Sequence, residues 1–517
     1  MKELKKILYL GLVLGIASLL CIQAGAISTM SKTVVNTPVL QNIGGNTLIS
    51  VDNPDGDDFN PRICKGPGGI MVVVYEKQND LFSKVVPVVW SDDGGETWTT
   101  QFEFDSIGFT EGSGLLQHPD IVYNSNIGVY FMAMVDPLAS MYNNEMAFIP
   151  GDITTAEGPE QWYGISGSGS ENYGFCAGDC TDNFFLSVTT EDGYGFTQLF
   201  GLGYFTYPDF EAPPTMGGFY YDGNSVHQSA PASDVEMDVG GNRIYITCET
   251  EGQITVKSTV NDEDLLTNGE QQNGMDKYAD IEQYPGEYVG SGTDPDVASS
   301  GNHVCVVYVS GGNVVCSYST NNAGTYDPGH SWQTSTVATG ASAPSVFMSG
   351  ANVFVGYVSG GNCYSVQSED YGATWGDAVK VNEVDGTVVN EPGSVTICDA
   401  GIIWTDSRNG AKDLYTAAGA AEFPLIEIAS ISKGFGVKAS ITNTGTADAE
   451  AVVCEISIDA PLMILGKTTT ATIDVAVGEE VSISTGFILG FGPASIKVTA
   501  GDASETISGT VLGPLVL

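Results

Sequence analysis

Short apolar runs separated by glycine-rich turns follow one another along the whole chain, which is the pattern of a protein built from β-strands. One unit recurs: a polar residue and a proline, a short strand, a turn at glycine, then an apolar strand that ends in an aromatic residue. Consecutive copies begin at Pro295, Pro344 and Pro392, 49 and 48 residues apart. A unit of this length cannot bury both of its faces alone, so the copies must pack against one another.

The same opening occurs earlier, at Pro61 and Pro119, and more faintly at Asp234. The interval between Pro119 and Asp234 leaves room for one further unit near residues 176–197. The repeat therefore predicts an all-β fold containing a β-propeller over residues 45–421, with seven blades preferred and six as the alternative. Alternating Val, Ile and Thr positions over residues 422–517 predict a separate C-terminal β-sandwich.

The N-terminus has the pattern of an export signal. Lysines precede an apolar run from Ile7 to Cys21, and a small-residue cleavage site follows at Ala24–Ala26. The run is shorter than the roughly 20 residues that a membrane-spanning helix needs, and no later segment is long enough. We expect residues 1–26 to be a signal peptide, residues 27–44 to be an N-terminal extension, and the protein to be secreted or associated with the outer cell surface.

The charge narrows the class of partners. The chain carries 18 Lys and Arg against 63 Asp and Glu, a formal net charge of −45. Such a surface excludes nucleic acid as a partner and admits Ca²⁺, cationic surfaces or neutral glycans. No phosphate-binding loop or His/Cys metal spacing is present, so Ca²⁺ is the only cofactor we consider. Among ten cysteines, Cys176 and Cys180 are the one candidate disulfide.

Two segments share the pattern Ser-x-Asp-x-Gly-x-Thr-Trp. The aspartate can accept backbone N–H groups of the turn, glycine can adopt a conformation closed to other residues, and tryptophan can cover the hairpin. The signature residues are Ser91, Asp93, Gly95 and Trp98 in the first segment and Ser368, Asp370, Gly372 and Trp375 in the second. The pattern resembles the Asp box of the sialidase-like, or BNR-repeat, β-propellers. That resemblance places each box between the third and fourth strands of a blade, opposite the family's active site.

The C-terminal region carries a second resemblance. The segment from Ile441 to Ala447 is similar to the strand-and-turn phrase of CARDB-type, immunoglobulin-like domains, and the ending Gly513–Leu517 resembles C-terminal domains of exported archaeal proteins. These similarities imply an immunoglobulin-like sandwich and, by analogy, a role in attachment or sorting.

The innermost strands of a propeller all begin on one face, so the residues at those starts should surround the mouth of the central channel. They are Asn60, His118, Asp120, Asp234, Asp294, Asp296, Asn390 and Glu391. We expect these acids and amides to bind an extracellular glycan or a cell-surface protein. Hard oxygen ligands favour Ca²⁺, which makes Asp120, Asp294 and Asp296 a candidate calcium site. The alternative is that these residues hydrogen-bond turn amides and solvate the channel.

An enzymatic function is the alternative. The sialidase-like resemblance implies three arginines around a substrate carboxylate, with Arg62 as the first of them and Asp80 as the acid/base. The chain has only three arginines. Arg408 would return to the same face, whereas Arg243 follows the turn between the first and second strands and faces the opposite rim. At most two arginines converge, so we expect a non-catalytic recognition or adhesion protein, with a glycoside hydrolase and a structural surface-layer component as alternatives.

Overall fold

The computed structural model describes residues 45–50, 56–80, 83–104, 116–125, 127–135, 144–159, 161–165, 172–180, 184–192, 196–203, 219–220, 234–240, 243–260, 287–301, 303–320, 332–417, 426–443, 449–501 and 503–517. The predicted signal peptide and N-terminal extension lie outside these residues. The described chain is almost entirely β-structure, which confirms the all-β prediction; its one helical element is a 3₁₀ turn at Pro67–Gly69. No described helix has the length and apolarity that a membrane crossing requires.

Residues 45–417 form seven four-stranded antiparallel sheets. Sheet 1 contains β2 (Asp57–Lys65), β3 (Met71–Asp80), β4 (Ser83–Ser91) and β5 (Thr99–Phe104). Sheet 2 contains β6 (Gln117–Asn124), β7 (Val129–Val135), β8 (Asn144–Pro150) and β9 (Gln161–Ile165). Sheet 3 contains β10 (Asn172–Cys180), β11 (Phe184–Asp192), β12 (Phe196–Gly203) and β13 (Phe219–Tyr220). Sheet 4 contains β14 (Asp234–Gly240), β15 (Arg243–Thr250), β16 (Gln253–Val260) and β17 (Glu287–Ser291).

Sheet 5 contains β18 (Thr293–Ser300), β19 (His303–Ser310), β20 (Asn313–Ser319) and β21 (Gln333–Thr339). Sheet 6 contains β22 (Ala341–Ser349), β23 (Asn352–Ser359), β24 (Asn362–Ser368) and β25 (Val379–Lys380). Sheet 7 contains β26 (Val395–Cys398), β27 (Gly401–Asp406) and β28 (Asp413–Ala417), and β1 (Asn46–Leu48) from the N-terminal end completes it by pairing with β28.

The seven sheets are arranged in a closed ring. The first strand of each sheet contacts the first strands of both neighbouring sheets, and β2 of sheet 1 contacts β26 of sheet 7. Apolar side chains fill the spaces between sheets, so a strand such as β7 is buried on both faces. The aromatic residues that recur in the second strands, Tyr75, Tyr308, Tyr357 and Trp404, are buried in these layers. This arrangement is compatible with the predicted β-propeller.

Four of the first strands begin with the same backbone irregularity. Asn60, His118, Asp294 and Ala343 each have a φ between 49° and 58°, and each directly precedes a proline. A β-bulge interrupts the ladder at each of these positions. Proline cannot donate to a ladder, and a bulge is where a strand tolerates it. The dipeptide that opens these repeats therefore coincides with a β-bulge at the start of each first strand.

The predicted disulfide is not formed. Cys176 and Cys180 both lie on β10, and neither forms a disulfide bond. Residues four apart on one strand are separated by about 13 Å, well beyond the roughly 7 Å limit for disulfide-bonded Cα atoms. The sequence prediction was wrong because it placed this segment in a loop. The Cys176 thiol instead donates a hydrogen bond to the His118 carbonyl of the neighbouring sheet at 3.0 Å.

Residues 426–517 form two further sheets. One contains β29 (Ile426–Gly434), β30 (Gly436–Asn443) and β34 (Glu480–Ser484). The other contains β33 (Thr468–Val475), β31 (Ala449–Asp459), β35 (Leu489–Ala500), β36 (Ala503–Gly513) and β37 (Leu515–Val516), with β32 (Leu462–Leu465) paired to β35. One apolar core contains residues of both sheets, among them Ile441 and Ile496. Two sheets over one core are compatible with the predicted sandwich.

Candidate ligand site at the channel mouth

A cavity of about 100 Å³ lies where the first strands begin. We call it the mouth. Its lining includes five residues predicted from the sequence, namely Asn60, His118, Asp234, Asp294 and Asp296, together with Arg62. Four prolines of the repeat openings also line it: Pro119, Pro295, Pro344 and Pro392. The strand starts therefore do converge, but the cavity is smaller than the 300–1,000 Å³ typical of sites that enclose a drug-sized ligand.

Among the residues that the structure describes, Arg62 is the one arginine that lines the mouth, and two carboxyl groups already engage its guanidinium. Its guanidinium Nη2 donates to Glu236 Oε1, and its Nε lies 3.9 Å from Asp120 Oδ1. Burial by itself lowers the pKa of Arg62, but Glu236, Asp120 and the other acids of the channel outweigh it, so the pKa lies above its ordinary value. A substrate carboxylate would therefore have to displace two protein carboxylates to reach this guanidinium.

Several acids of the channel join neighbouring sheets. Asp120 accepts the N–H of Ile121 in its own strand at 2.9 Å and that of Gly178 in sheet 3 at 2.8 Å. Asp296 repeats the pattern, accepting the N–H of Val297 at 2.8 Å and that of Val346 in sheet 6 at 2.8 Å.

Asp179 does the same between sheets 3 and 4, accepting the N–H groups of Cys180 at 2.7 Å and Val239 at 2.6 Å. Each of these carboxylates satisfies a backbone donor of the next sheet, which is the structural alternative raised by the sequence.

Glutamates of the second strands hold the bulged residues in place. Glu76, which is almost fully buried, accepts the Nδ2–H of Asn60 at 2.7 Å, the N–H of His118 at 2.9 Å and the Lys84 ammonium at 2.7 Å. Glu249 Oε2 accepts the N–H of Asp294 in the next sheet at 3.3 Å. The positive-φ conformation of these residues, which costs of order 1–3 kcal/mol each, is thus supported by charged acceptors.

The remaining acids raise one another's pKa. Burial raises the pKa of Asp234 to about 7, with further increases from Glu249 and Asp296 and an opposing effect of Arg62. Burial and nearby carboxylates also raise the pKa of Glu236 and Asp294, and burial raises the pKa of Asp296 against the opposing effects of Arg62 and its hydrogen bonds. One guanidinium therefore faces more carboxyl groups than it can neutralise, and part of this cluster keeps its protons near neutral pH.

The candidate calcium ligands do not form a common site. Asp120 and Asp296 direct their carboxylates at backbone amides of different neighbouring sheets, and Asp120 does not line the cavity that Asp294 and Asp296 share. Among the residues that the structure describes, no group of three or more His, Cys, Asp or Glu side chains has a metal-binding arrangement.

Other predicted residues lie away from the mouth. Arg408 donates to Asp406 at 2.6 Å, stacks on the Tyr415 ring at 3.8 Å and reaches Asn46 of the outermost strand. It therefore fixes a loop of sheet 7, and the prediction that it could converge with Arg62 is wrong. Glu391 is exposed and pairs with Lys412.

Asn390 is also exposed and accepts a hydrogen bond from Ser342, and neither it nor Glu391 lines the cavity. Asp80 is the last residue of β3. Arg243 is the first residue of β15 and pairs with Gly240, at the end of these strands away from Asp234, which is the position that the sequence predicted. The side chains of Asp80 and Arg243 lie outside the described residues.

Both Asp boxes have the expected hydrogen bonds. Asp93 accepts the Thr97 N–H at 2.9 Å and its hydroxyl at 2.6 Å, and the Ser91 hydroxyl accepts the Gly95 N–H at 2.9 Å. In the second box, Asp370 accepts the Thr374 N–H at 2.7 Å and its hydroxyl at 2.7 Å, and Ser368 accepts the Gly372 N–H at 2.9 Å.

Gly95 and Gly372 have a φ of 89°, as the turn requires. The tryptophans bond differently: Trp98 Nε1 donates to the Gly95 carbonyl at 3.2 Å, and Trp375 Nε1 to the Ser335 hydroxyl at 2.9 Å. Both boxes connect a third strand to a fourth, so they lie at the end of the ring opposite the mouth.

Sequence reasoning missed Glu236, the partner of Arg62. It also missed Glu76 and Asp179, each of which accepts a backbone N–H of the next sheet. Glu236 could have been predicted to lie at the mouth, because Asp234 and Glu236 are two residues apart on one strand and so share a face. Nothing local marks Glu76, whose partners come from three separate segments.

No family model matches the chain, and no curated protein matches it. Solved structures show weak similarity. Hydrazine synthase from Kuenenia stuttgartiensis matches with a TM-score of 0.41 and 9% identity, over 75% of this chain and 97% of that one. An exo-β-1,3-galactanase from Phanerochaete chrysosporium matches with a TM-score of 0.30 and 12% identity, over 90% of this chain and 99% of that one. A prolyl endopeptidase matches with a TM-score of 0.37 and 11% identity over 75% of this chain. The present chain spans about half (54%) of that protein's length. Similarities of this size carry no argument about activity.

Proposed function

We propose that this chain is an exported, non-catalytic recognition or adhesion protein. In this proposal residues 45–421 are a seven-bladed β-propeller of the sialidase-like, Asp-box kind, and residues 422–517 are an immunoglobulin-like domain. The seven four-stranded sheets closed by β1, and the two boxes between third and fourth strands, support the propeller assignment. The mouth binds a glycan or a protein outside the cell.

The observation that carries the non-catalytic assignment is the state of Arg62. Its guanidinium is held by Glu236 and Asp120, and Arg408, which could have joined it, is bonded to Asp406 in sheet 7. A sialidase-like mechanism needs several free guanidinium groups around the substrate carboxylate. Two acids near Arg62, Asp120 and Asp296, already accept backbone N–H groups of neighbouring sheets.

The lining of the mouth also limits what can enter. Carboxyl groups are the commonest of its polar side chains, and a cavity of about 100 Å³ holds only a small chemical group of a ligand. A ligand would therefore rest on the rim and insert one ammonium or a few hydroxyl groups, which donate to Asp234, Glu236 or Asp294. An anionic terminal group such as a sialic acid carboxylate is disfavoured, because it would enter a cluster that already carries excess negative charge.

The test has two arms on the chain that begins at residue 27. In the first, the protein is screened against immobilised neutral, amino-sugar and acidic glycans and against basic cell-surface proteins. We expect binding to neutral or amino-sugar glycans or to a basic protein, and loss of at least tenfold in affinity for Asp294→Asn. The matched control is Glu369→Gln, which removes one charge from an exposed position of the second Asp box at the opposite end of the ring and should bind like the native protein.

The second arm measures turnover of fluorogenic glycosides, a sialoside included. Hydrolysis that disappears in both Arg62→Ala and Asp80→Asn would overturn the non-catalytic assignment. One observation favours this second candidate, a glycoside hydrolase: carboxyl groups of raised pKa, with Asp234 at about 7, lie together in a cavity. No binding and no turnover would leave a structural surface component, and would contradict both proposals.

A further inference from the structure

The C-terminal sheets expose an unusual amount of apolar surface. Five large apolar side chains form one line that crosses the second sheet and ends at the turn between β29 and β30, each directly paired with the next: Leu462, Phe491, Leu512, Leu515 and Phe435. We call this line the apolar row. Directly paired residues of antiparallel strands point to the same side of a sheet, so these side chains form one continuous strip. Each of them is 43–67% exposed.

Two neighbours extend the strip. Phe487 contacts Phe435 with ring centroids 5.9 Å apart, and Leu517 exchanges two backbone hydrogen bonds with Thr510 of β36. With a full area of about 200 Å² for a large side chain, the seven residues expose roughly 700 Å² of apolar surface. The largest apolar patch of a typical monomer is about 300–600 Å², whereas one partner of a standard protein interface contributes about 800 Å².

The rest of the same sheet face is polar. Further along β35 and β36 the outward pairs are Ser495 with Ser508 and Lys497 with Thr506. The apolar row therefore has a hydrophilic border on the same two strands, which is the arrangement of an interface core and its rim. Three of the segments that supply the row, 460–466, 484–496 and 506–517, contain no charged residue. The fourth, which supplies Phe435, carries Lys433, whose ammonium donates to the Ser508 carbonyl at 3.1 Å.

We propose that this row is a homodimer interface, in which the row of one copy packs on the row of a second copy. The net charge of −45 makes contact between copies unfavourable over most of the surface, whereas the segments of the row carry no acidic residue. A row of large residues across one sheet can pack on itself about a twofold axis. The exposed area is close to what one partner of a stable dimer buries.

A lipid bilayer fits the row less well. Interfacial membrane binding uses Trp and Tyr at the headgroup level and basic residues towards anionic lipid. Residues 426–517 contain neither Trp nor Tyr, and their acidic residues outnumber the four lysines. The dimer proposal is independent of what the mouth binds.

The experiment is sedimentation equilibrium of the chain from residue 27 over about 1–100 μM. We expect the mass to rise to twice the monomer value with concentration. Leu512→Asp should weaken the association by about 100-fold or more, because a twofold interface would bury the new charge twice. Thr506→Asp is the matched control, since it adds the same charge to the polar part of the same strand face and should leave association unchanged.

Circular dichroism and the melting temperature of each variant establish that it is folded. Phe435→Ser, at the exposed hairpin tip, is a second variant that should weaken the dimer if Leu512→Asp does not fold. A protein that stays monomeric at 100 μM would overturn the proposal, and so would equal effects of the two Asp variants. Flotation of the protein with phosphatidylcholine vesicles, lost in Leu512→Asp, would assign the row to lipid and also overturn it.

Discussion

The acids of the mouth should make the ring of sheets less stable as the pH rises, and Asp234→Asn tests this directly. Burial and neighbouring acids place the pKa of Asp234 at about 7, against an ordinary value of 3.8. The folded state therefore binds more protons than the unfolded state between these values, and the stability contributed by this group is lost as the pH rises through that window. Asparagine is the isosteric neutral residue, and its Oδ1 can still accept the Val235 N–H.

The magnitude follows from the two pKa values. Each tenfold change in an ionisation constant is worth about 1.4 kcal/mol, so complete ionisation of Asp234 costs the folded state about 4 kcal/mol. Roughly 1 kcal/mol of that cost is already present at pH 4.5. Asp234→Asn should therefore raise the free energy of unfolding by about 3 kcal/mol more at pH 8 than at pH 4.5. Relaxation of Glu249 and Asp296 would reduce this value, so it is an upper estimate.

Tryptophan fluorescence during urea unfolding measures the ring alone, because all six tryptophans lie within residues 45–417 and none lies in the C-terminal sheets. The matched control is Asp385→Asn, which removes the same charge at a site where the side chain is 78% exposed, and it should show little pH dependence. An equal shift of the urea midpoint at both pH values, or a decrease at pH 8, would refute the assigned electrostatics of the mouth.

Three further outcomes follow from the packing. Gly95→Ala should lower the free energy of unfolding by about 1–2 kcal/mol, because its φ is positive. Gly372→Ala should lower it by about 1–3 kcal/mol more, because the new Cβ would also lie 2.9 Å from Cys316 Sγ. Equal losses for the two variants in urea unfolding would contradict this. Arg62→Met should lower the free energy of unfolding by about 3 kcal/mol at pH 8, because Glu236 loses its partner, and by less at pH 5. A variant that unfolds at a higher urea concentration than the native protein at pH 8 would contradict this prediction. Dithiothreitol should not move the urea-unfolding midpoint, since none of the nine described cysteines forms a disulfide; a decrease would reveal a disulfide.

The repeat was readable from the sequence because one backbone device recurs. Four of the first strands start with a bulged residue and a proline, and that dipeptide is visible without any structure. Sheet 3 lacks the dipeptide, which is why its position could only be inferred from the spacing between Pro119 and Asp234. The Asp boxes were readable for a similar reason: every hydrogen bond of Asp93 and Asp370 described above is made within the eight-residue motif.

The site was only partly readable, because its polar partners are distant in the chain. Asn60, His118 and Asp294 were assigned to the mouth by the shared direction of the first strands, and they line it. Glu391 follows the same pattern but lies outside, where Lys412 pairs with it. Arg62 was assigned to a substrate carboxylate only in the enzymatic alternative, from its place in the sialidase-like pattern. Its partner Glu236 is 174 residues away, and only the strand face that Glu236 shares with Asp234 pointed to it.

The pKa values of acids at the two ends of the ring are shifted in opposite directions: that of Asp93 is lowered and that of Asp234 is raised. This difference links the stability of the fold to the proposed recognition. Hydrogen bonds from Thr97 and Ser91 lower the pKa of Asp93 to about 2, so the box contributes stability that is present above pH 4 and lost as the pH falls towards 2. The cost of ionising the mouth grows between about pH 4 and 7, so the ring is expected to be most stable at mildly acidic pH. At neutral pH a ligand that brings a positive charge to Asp234 and Glu236 offsets the cost that proton loss imposes. The same carboxyl groups that reduce stability at neutral pH would then favour binding of a cationic group at the mouth.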